Sequence, residues 1–98
     1  MRRAAKIDTT HAEIRDALRK AGVSVYSLAD IGRGIPDLLC GYRSWWCLVE
    51  AKTGKREVNE LQRKFIDQCQ GPVIVVSSGE EAVAKFFERW SASILQKL

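Results

Sequence analysis

The chain has 98 residues, 46% hydrophobic and 29% charged, with a net charge of +4 and an isoelectric point near 9.2. That length holds a single domain, 1–98, near the low end for a self-sufficient core, and the basic balance permits a polyanionic partner without demanding one. The 3 cysteines (Cys40, Cys47 and Cys69) have no C-x-x-C spacing, which argues against a disulfide framework or structural zinc site and for a reducing cytoplasm; no apolar run reaches membrane-spanning length and no signal-peptide apolar region opens the chain.

The first segment, residues 1–8, is basic through Arg2, Arg3 and Lys6 and reads as loosely ordered. Thr10 followed by Glu13 fits a capping box that opens a helix to about Ala21, with Ile14, Ala17, Leu18 and Ala21 as its apolar stripe and Gly22 as its stop. Residues 23–28 read as a short strand. The segment 31–36, Ile-Gly-Arg-Gly-Ile-Pro, is a turn-rich link whose glycines permit unusual backbone angles. Residues 37–42 and 45–51 then read as a hairpin around Arg43-Ser44, with Cys40 and Cys47 as small core residues inside the apolar runs. Trp45 and Trp46, being adjacent on a strand, face opposite sides, so one of them is free either to seal a dimer contact or to lie under a helix.

A polar loop, residues 53–57, precedes a second capping box, Asn59 with Gln62, opening a helix to about Gln70 with Leu61, Phe65, Ile66 and Cys69 inward. Gly71-Pro72 stops it. The run Val73-Ile74-Val75-Val76 lacks polar alternation and suits a strand covered on both faces. Ser78 or Gly79 starts a last helix with Val83, Phe86, Phe87, Trp90 and Ile94 on one stripe. The expected class is α/β in the order αβββαβα. The hairpin is antiparallel and the crossover helix makes the flanking strands parallel, so a mixed four-stranded sheet flanked by helices is expected.

The chemistry concentrates between Pro36 and Lys52. Asp37 opens one strand, and Glu50 and Lys52, two residues apart near the end of the next, project from the same face of an extended chain. Two carboxylates able to hold Mg²⁺ or Mn²⁺, with a lysine beside them to steady phosphoryl charge, are what metal-assisted phosphodiester hydrolysis requires. Each residue has a plainer explanation by itself: Asp37 as a turn residue entering the sheet, Glu50 and Lys52 as solvated edge charges. Gln62 and Glu13 are likewise explained as third residues of capping boxes. The case rests on their combination, and on the helix N-terminus near Gln62, which favours a bound phosphate.

Gly34-Ile35-Pro36-Asp37-Leu38-Leu39, then Leu48-Val49-Glu50-Ala51-Lys52-Thr53-Gly54-Lys55, then Asn59-Glu60-Leu61-Gln62 resembles the VRR-NUC (virus-type replication-repair nuclease) domain of the PD-(D/E)xK nuclease superfamily. The resemblance runs from about Glu13 to Ser78. It implies a restriction-endonuclease-like core and a metal-dependent DNA endonuclease, with Asp37, Glu50 and the Ala51 carbonyl as metal ligands. It further implies Lys52 as the catalytic lysine, Gln62 as the helix-borne glutamine and Glu13 as the acidic residue of the first helix. Arg33, Lys55 and Arg56 flank the site as phosphate contacts, with solvated surface charge as the rival reading. The family includes dimers acting on branched DNA, so a homodimeric, Holliday-junction-resolvase-like enzyme of a bacterial or phage-infected cytoplasm is implied. A flap or non-specific nuclease is the alternative. A non-catalytic nucleic-acid-binding module would leave the Asp37, Glu50 and Lys52 combination unexplained, and a toxin-like or regulatory interaction protein could also be this small.

Overall fold

In the computed structural model, which describes residues 9–53 and 57–97, the elements follow the expected order. They are α1 (Thr9–Lys20), β1 (Ser24–Ser27), β2 (Leu38–Tyr42), β3 (Trp45–Ala51), α2 (Glu60–Gln68), β4 (Val73–Val76) and α3 (Gly79–Gln96). The basic segment before Thr9 lies outside the described residues. The strands form a four-stranded sheet in the order β1-β2-β3-β4, antiparallel across the first two pairings and parallel between β3 and β4. Chain length between strands decides this. A two-residue turn can only reverse the chain, whereas the crossover through α2 returns it in the same direction.

Arg43 and Ser44 close the β2–β3 hairpin with φ of 49° and 67°, the double positive φ of a tight turn whose twist matches its strands. Neither residue is the Gly or Asn that such angles favour. The Arg43 guanidinium lies 5.4 Å from the Tyr42 ring centroid and 5.9 Å from that of Trp90, an attraction that offsets part of the strain.

Alternation along each strand sends one set of side chains toward α1 and α3. Val25, Leu38, Cys40, Cys47, Val49, Ile74 and Val76 meet Ile14 and Leu18 of α1 and Ala82 and Phe86 of α3 in one buried core. Cys40 and Cys47 face each other across β2 and β3 as free thiols, and burial pushes them up to about 12 and about 11, so they remain protonated core residues. Trp45 packs edge-on against Phe86 at 5.2 Å, while Trp46 emerges on the other face.

Both sheet edges are occupied by basic side chains. Arg19 donates to the Val25 carbonyl of β1, and Lys85 and Arg89 of α3 donate to the Val75 and Val73 carbonyls of β4. Cations on outward carbonyls blunt an edge against strand addition.

Several local expectations change. Helix α1 already includes Thr9, so Thr10 lies inside it rather than capping it, and Glu13 turns to a distant partner described below. Its end follows expectation: Gly22 has φ 95°, and the Gly22 and Val23 amides bond back to the Arg19 and Leu18 carbonyls. Helix α2 ends at Gln68 rather than Gln70, and Leu61 points outward, 60% exposed. Ile94 on α3 is also exposed. β4 alternates instead of being covered on both faces, with Ile74 and Val76 buried but Val73 and Val75 only half-buried. As an edge strand it has a neighbouring strand on one side only, which leaves its outward face less covered.

Candidate active site

The loop before β2 takes three consecutive positive φ values: 68° at Gly32, 57° at Arg33 and 82° at Gly34. Glycine is required at the last of these for a second reason. A Cβ on Gly34 would stand 2.5 Å from the Leu61 carbonyl oxygen, so the bare backbone is what allows this loop to lie on the first turn of α2. Pro36, fully buried, then leads into Asp37. The Asp37 carbonyl accepts from the Leu28 amide at 2.7 Å, and its carboxylate Oδ2 accepts from the Ala51 amide at 3.0 Å. Asp37 thus ties the start of β2 to the end of β3.

Glu50 is 5% exposed, the one buried charged residue among those described. Its Oε2 accepts from Gln62 Nε2 at 2.8 Å. Gln62 is in turn held by the capping box: its Oε1 accepts from the Asn59 amide at 2.7 Å, and its own amide donates to Asn59 Oδ1 at 2.9 Å. The cap that starts α2 therefore also orients the amide that grips Glu50. Burial, followed by the nearby negative charge of Asp37, pushes the Glu50 carboxyl up to about 7, and an amide hydrogen bond from Asp37 opposes this only in part.

Asp37, Glu50, Ala51, Lys52 and Gln62 line one cleft of about 390 Å³. Lys52 is anchored by its amide, which donates to the Val76 carbonyl at 2.8 Å. Strand alternation sets it on the same face as Glu50, opposite the buried Val49. The pairing of Leu38 with Val49, continued along both strands, sets Ala51 across from Pro36. Proline has no N–H to give the Ala51 carbonyl, so the residue preceding Asp37 leaves that oxygen without its usual ladder donor.

Glu13 is placed differently. It is not among the residues lining the cleft, and its Oε2 accepts from the Gly79 amide at 3.0 Å, at the first turn of α3. Gly79 permits that approach, since a Cβ there would meet Ala17 Cβ at 2.9 Å. Arg33 is exposed on its loop and does not line the cleft, and Lys55 and Arg56 lie outside the described residues. Thr53 and Glu57 line the cleft although sequence reasoning treated them only as parts of a polar loop. The available signal for Glu57 was its place two residues before the Asn59 cap, in a segment that must pass the end of β3.

Among the described residues no three His, Cys, Asp or Glu side chains group as a metal site. The cleft is lined by the carboxylates of Asp37 and Glu50, with Ala51 and Lys52 beside them and Glu57 at its border. An all-oxygen set of this size suits a hard cation such as Mg²⁺ or Mn²⁺, which is bound through one or two carboxylates and retains waters. Burial first, and then repulsion from Asp37, raise Glu50; a divalent cation would relieve the second. The donor set fits.

No family model matches the chain, and neither the curated proteins nor the solved structures provide a match.

Proposed function

We propose that this protein is a metal-dependent DNA endonuclease with a restriction-endonuclease-like core, of the VRR-NUC type, hydrolysing phosphodiester bonds in branched DNA. The observation that carries the reading is the convergence of Asp37, just before β2, and Glu50, near the end of β3, on one cleft with Lys52 and Gln62.

Asp37, Glu50 and the Ala51 carbonyl would hold Mg²⁺ or Mn²⁺, whose contribution when bound is to polarise the scissile phosphate and acidify a coordinated water. The chain's own groups divide the remaining work. Lys52, a fixed cation on the Glu50 face, opposes the charge that develops on the phosphoryl oxygens. Gln62 keeps Glu50 in one orientation, and because both ends of its amide are engaged it does so without being free to rotate. Asn59 and Gln62 at the start of α2 line the cleft, and a helix N-terminus favours an anionic group nearby. Arg33, with Lys55 and Arg56 of the basic sequence after Lys52, would supply phosphate contacts that make binding salt-sensitive. A homodimer would present two such clefts to the strands of a four-way junction, in a bacterial or phage-infected cytoplasm.

The test is cleavage of labelled linear, flap and four-way-junction DNA with Mg²⁺ or Mn²⁺, beside EDTA and Lys52→Ala controls. Metal-dependent cutting that falls by roughly a hundredfold to a thousandfold in Lys52→Ala is expected. Equal cutting by both proteins would remove Lys52 from the mechanism, and no cutting by well-folded protein would leave a nucleic-acid-binding module.

A further inference from the structure

We propose that Tyr26 and Trp46 form a stacking platform for unpaired bases, so that a single-stranded segment of the substrate lies along the open face of the sheet on its way to the cleft. The cutting of that segment rests on the nuclease reading above; its binding does not.

The two side chains are large, aromatic and left out of the core, Tyr26 55% and Trp46 48% exposed. Isolated exposed apolar residues are ordinary, but these two are neighbours, with ring centroids 6.4 Å apart and planes tilted by 33°. The seat beneath them is built for the purpose of lying flat: a Cβ on Gly41 would come within 2.7 Å of the Trp46 ring, so only glycine lets the indole rest on β2. Beside the Trp46 ring a cleft of about 390 Å³ is lined by Ser24 and Ser44, two hydroxyl residues suited to a sugar–phosphate backbone. The chain's net charge of +4 complements the same ligand.

Position relative to the candidate active site decides between this occupant and others. Trp46 and Glu50 share one face of β3 by alternation, with Lys52 just past its end, and four residues separate Trp46 from Glu50, about 13 Å at ~3.3 Å per residue. A strand spaced at ~3.4 Å per nucleotide covers that distance in about four nucleotides. Base–aromatic stacking tolerates any sequence, because every base has a π-face, which suits a small chain with little surface for reading sequence. Addition of a second copy along the strands is disfavoured by the basic side chains on both sheet edges.

The experiment uses the full chain carrying Lys52→Ala, with Ca²⁺ in place of Mg²⁺, titrated with a labelled 12-nucleotide oligothymidine and with a duplex of equal length. Anisotropy reads affinity and tryptophan fluorescence reads stacking. Oligothymidine should quench the fluorescence. Adding Trp46→Ala should weaken single-strand binding by on the order of tenfold to a hundredfold and leave duplex binding unchanged. Trp46→Phe should retain most of the affinity, and Tyr26→Ala should lose part of it, so the result does not depend on one variant folding. Unchanged oligothymidine affinity in Trp46→Ala and Tyr26→Ala would overturn the platform. So would loss of a dimer in sedimentation with DNA binding intact, which would assign the surface to a second copy. If the unsubstituted chain cuts nothing while Trp46-dependent binding persists, the nuclease reading falls and the platform stands. If it cuts DNA and Trp46→Ala binds and cuts flaps equally well, the platform falls and the nuclease stands.

Discussion

On the side of the sheet that meets α1 and α3, Leu38, Cys40, Cys47 and Val49 are at most 1% exposed, whereas on the side that meets α2 Trp46 is 48% exposed and α2 itself contributes no buried residue. Strand β3 belongs to both sides, sending Cys47 and Val49 into the core and Trp46 and Glu50 the other way, with Lys52 just past its end. The difference follows from the helices. The 18-residue α3 carries Phe86, packed against Trp45 and Phe87, whereas the 9-residue α2 is mostly polar. A sealed face supplies stability. A partly covered one can keep a carboxylate such as Glu50 buried enough to be perturbed yet open to a cleft, which a dry core would not tolerate.

Large-to-small substitution should separate the two sides most sharply. Phe86→Ala removes a fully buried ring and is expected to cost about 3–5 kcal/mol, a large part of the ~5–15 kcal/mol typical of a whole domain, measured by urea denaturation. A loss under ~1 kcal/mol would mean that the α3 face is not the sealed one.

The second effect is electrostatic and belongs to the cleft. Because the folded-state value of Glu50 is raised to about 7 from 4.5, the folded protein holds its proton where the unfolded chain releases it. The resulting stability is fully present below pH ~4.5 and is lost as pH rises through about 7, by on the order of 3 kcal/mol in metal-free protein. Glu50→Gln should flatten that part of the pH profile and raise the metal-free melting temperature at pH 8, and should remove the Mg²⁺-dependent stabilisation expected of the proposed site. A parent profile as flat as the variant's would contradict the perturbed carboxyl.

Gly34→Ala tests the joint between loop and helix. With φ at 82° and the Leu61 carbonyl 2.5 Å from the new Cβ, the strain should amount to about 1–3 kcal/mol. Relief by retreat of α2 would carry Gln62 away from Glu50, so cleavage should fall alongside the melting temperature; a fall in stability with unchanged cleavage would uncouple the two. The smallest effect sharpens the first: Leu61→Ala, on the open side, should change stability by no more than ~0.5 kcal/mol despite removing as large an aliphatic group as many core substitutions do.

Local features were readable from the chain because they depend on neighbours a few residues apart. Asn59 and Gln62 marked the start of α2, Gly22 the end of α1, and the crossover between β3 and β4 their parallel pairing. Periodicity failed where it had to say how much cover a stripe receives: Leu61 and Ile94 share apolar stripes but remain exposed, since a stripe marks direction and not depth. The Thr10–Glu13 pattern failed in another way. Its acid found a better donor 66 residues along the chain, at the amide of Gly79.

What the sequence determined by itself is the alternation that sets Glu50 and Lys52 on one face, the position of Asp37 at the head of β2, and the cap that fixes Gln62. Tertiary structure alone decided that these meet in one cleft, that Gln62 bonds Glu50, that Glu13 stays outside, and that Glu57 borders the site. It also decided the raised Glu50, because desolvation and the field of Asp37 arise only when distant segments exclude water together.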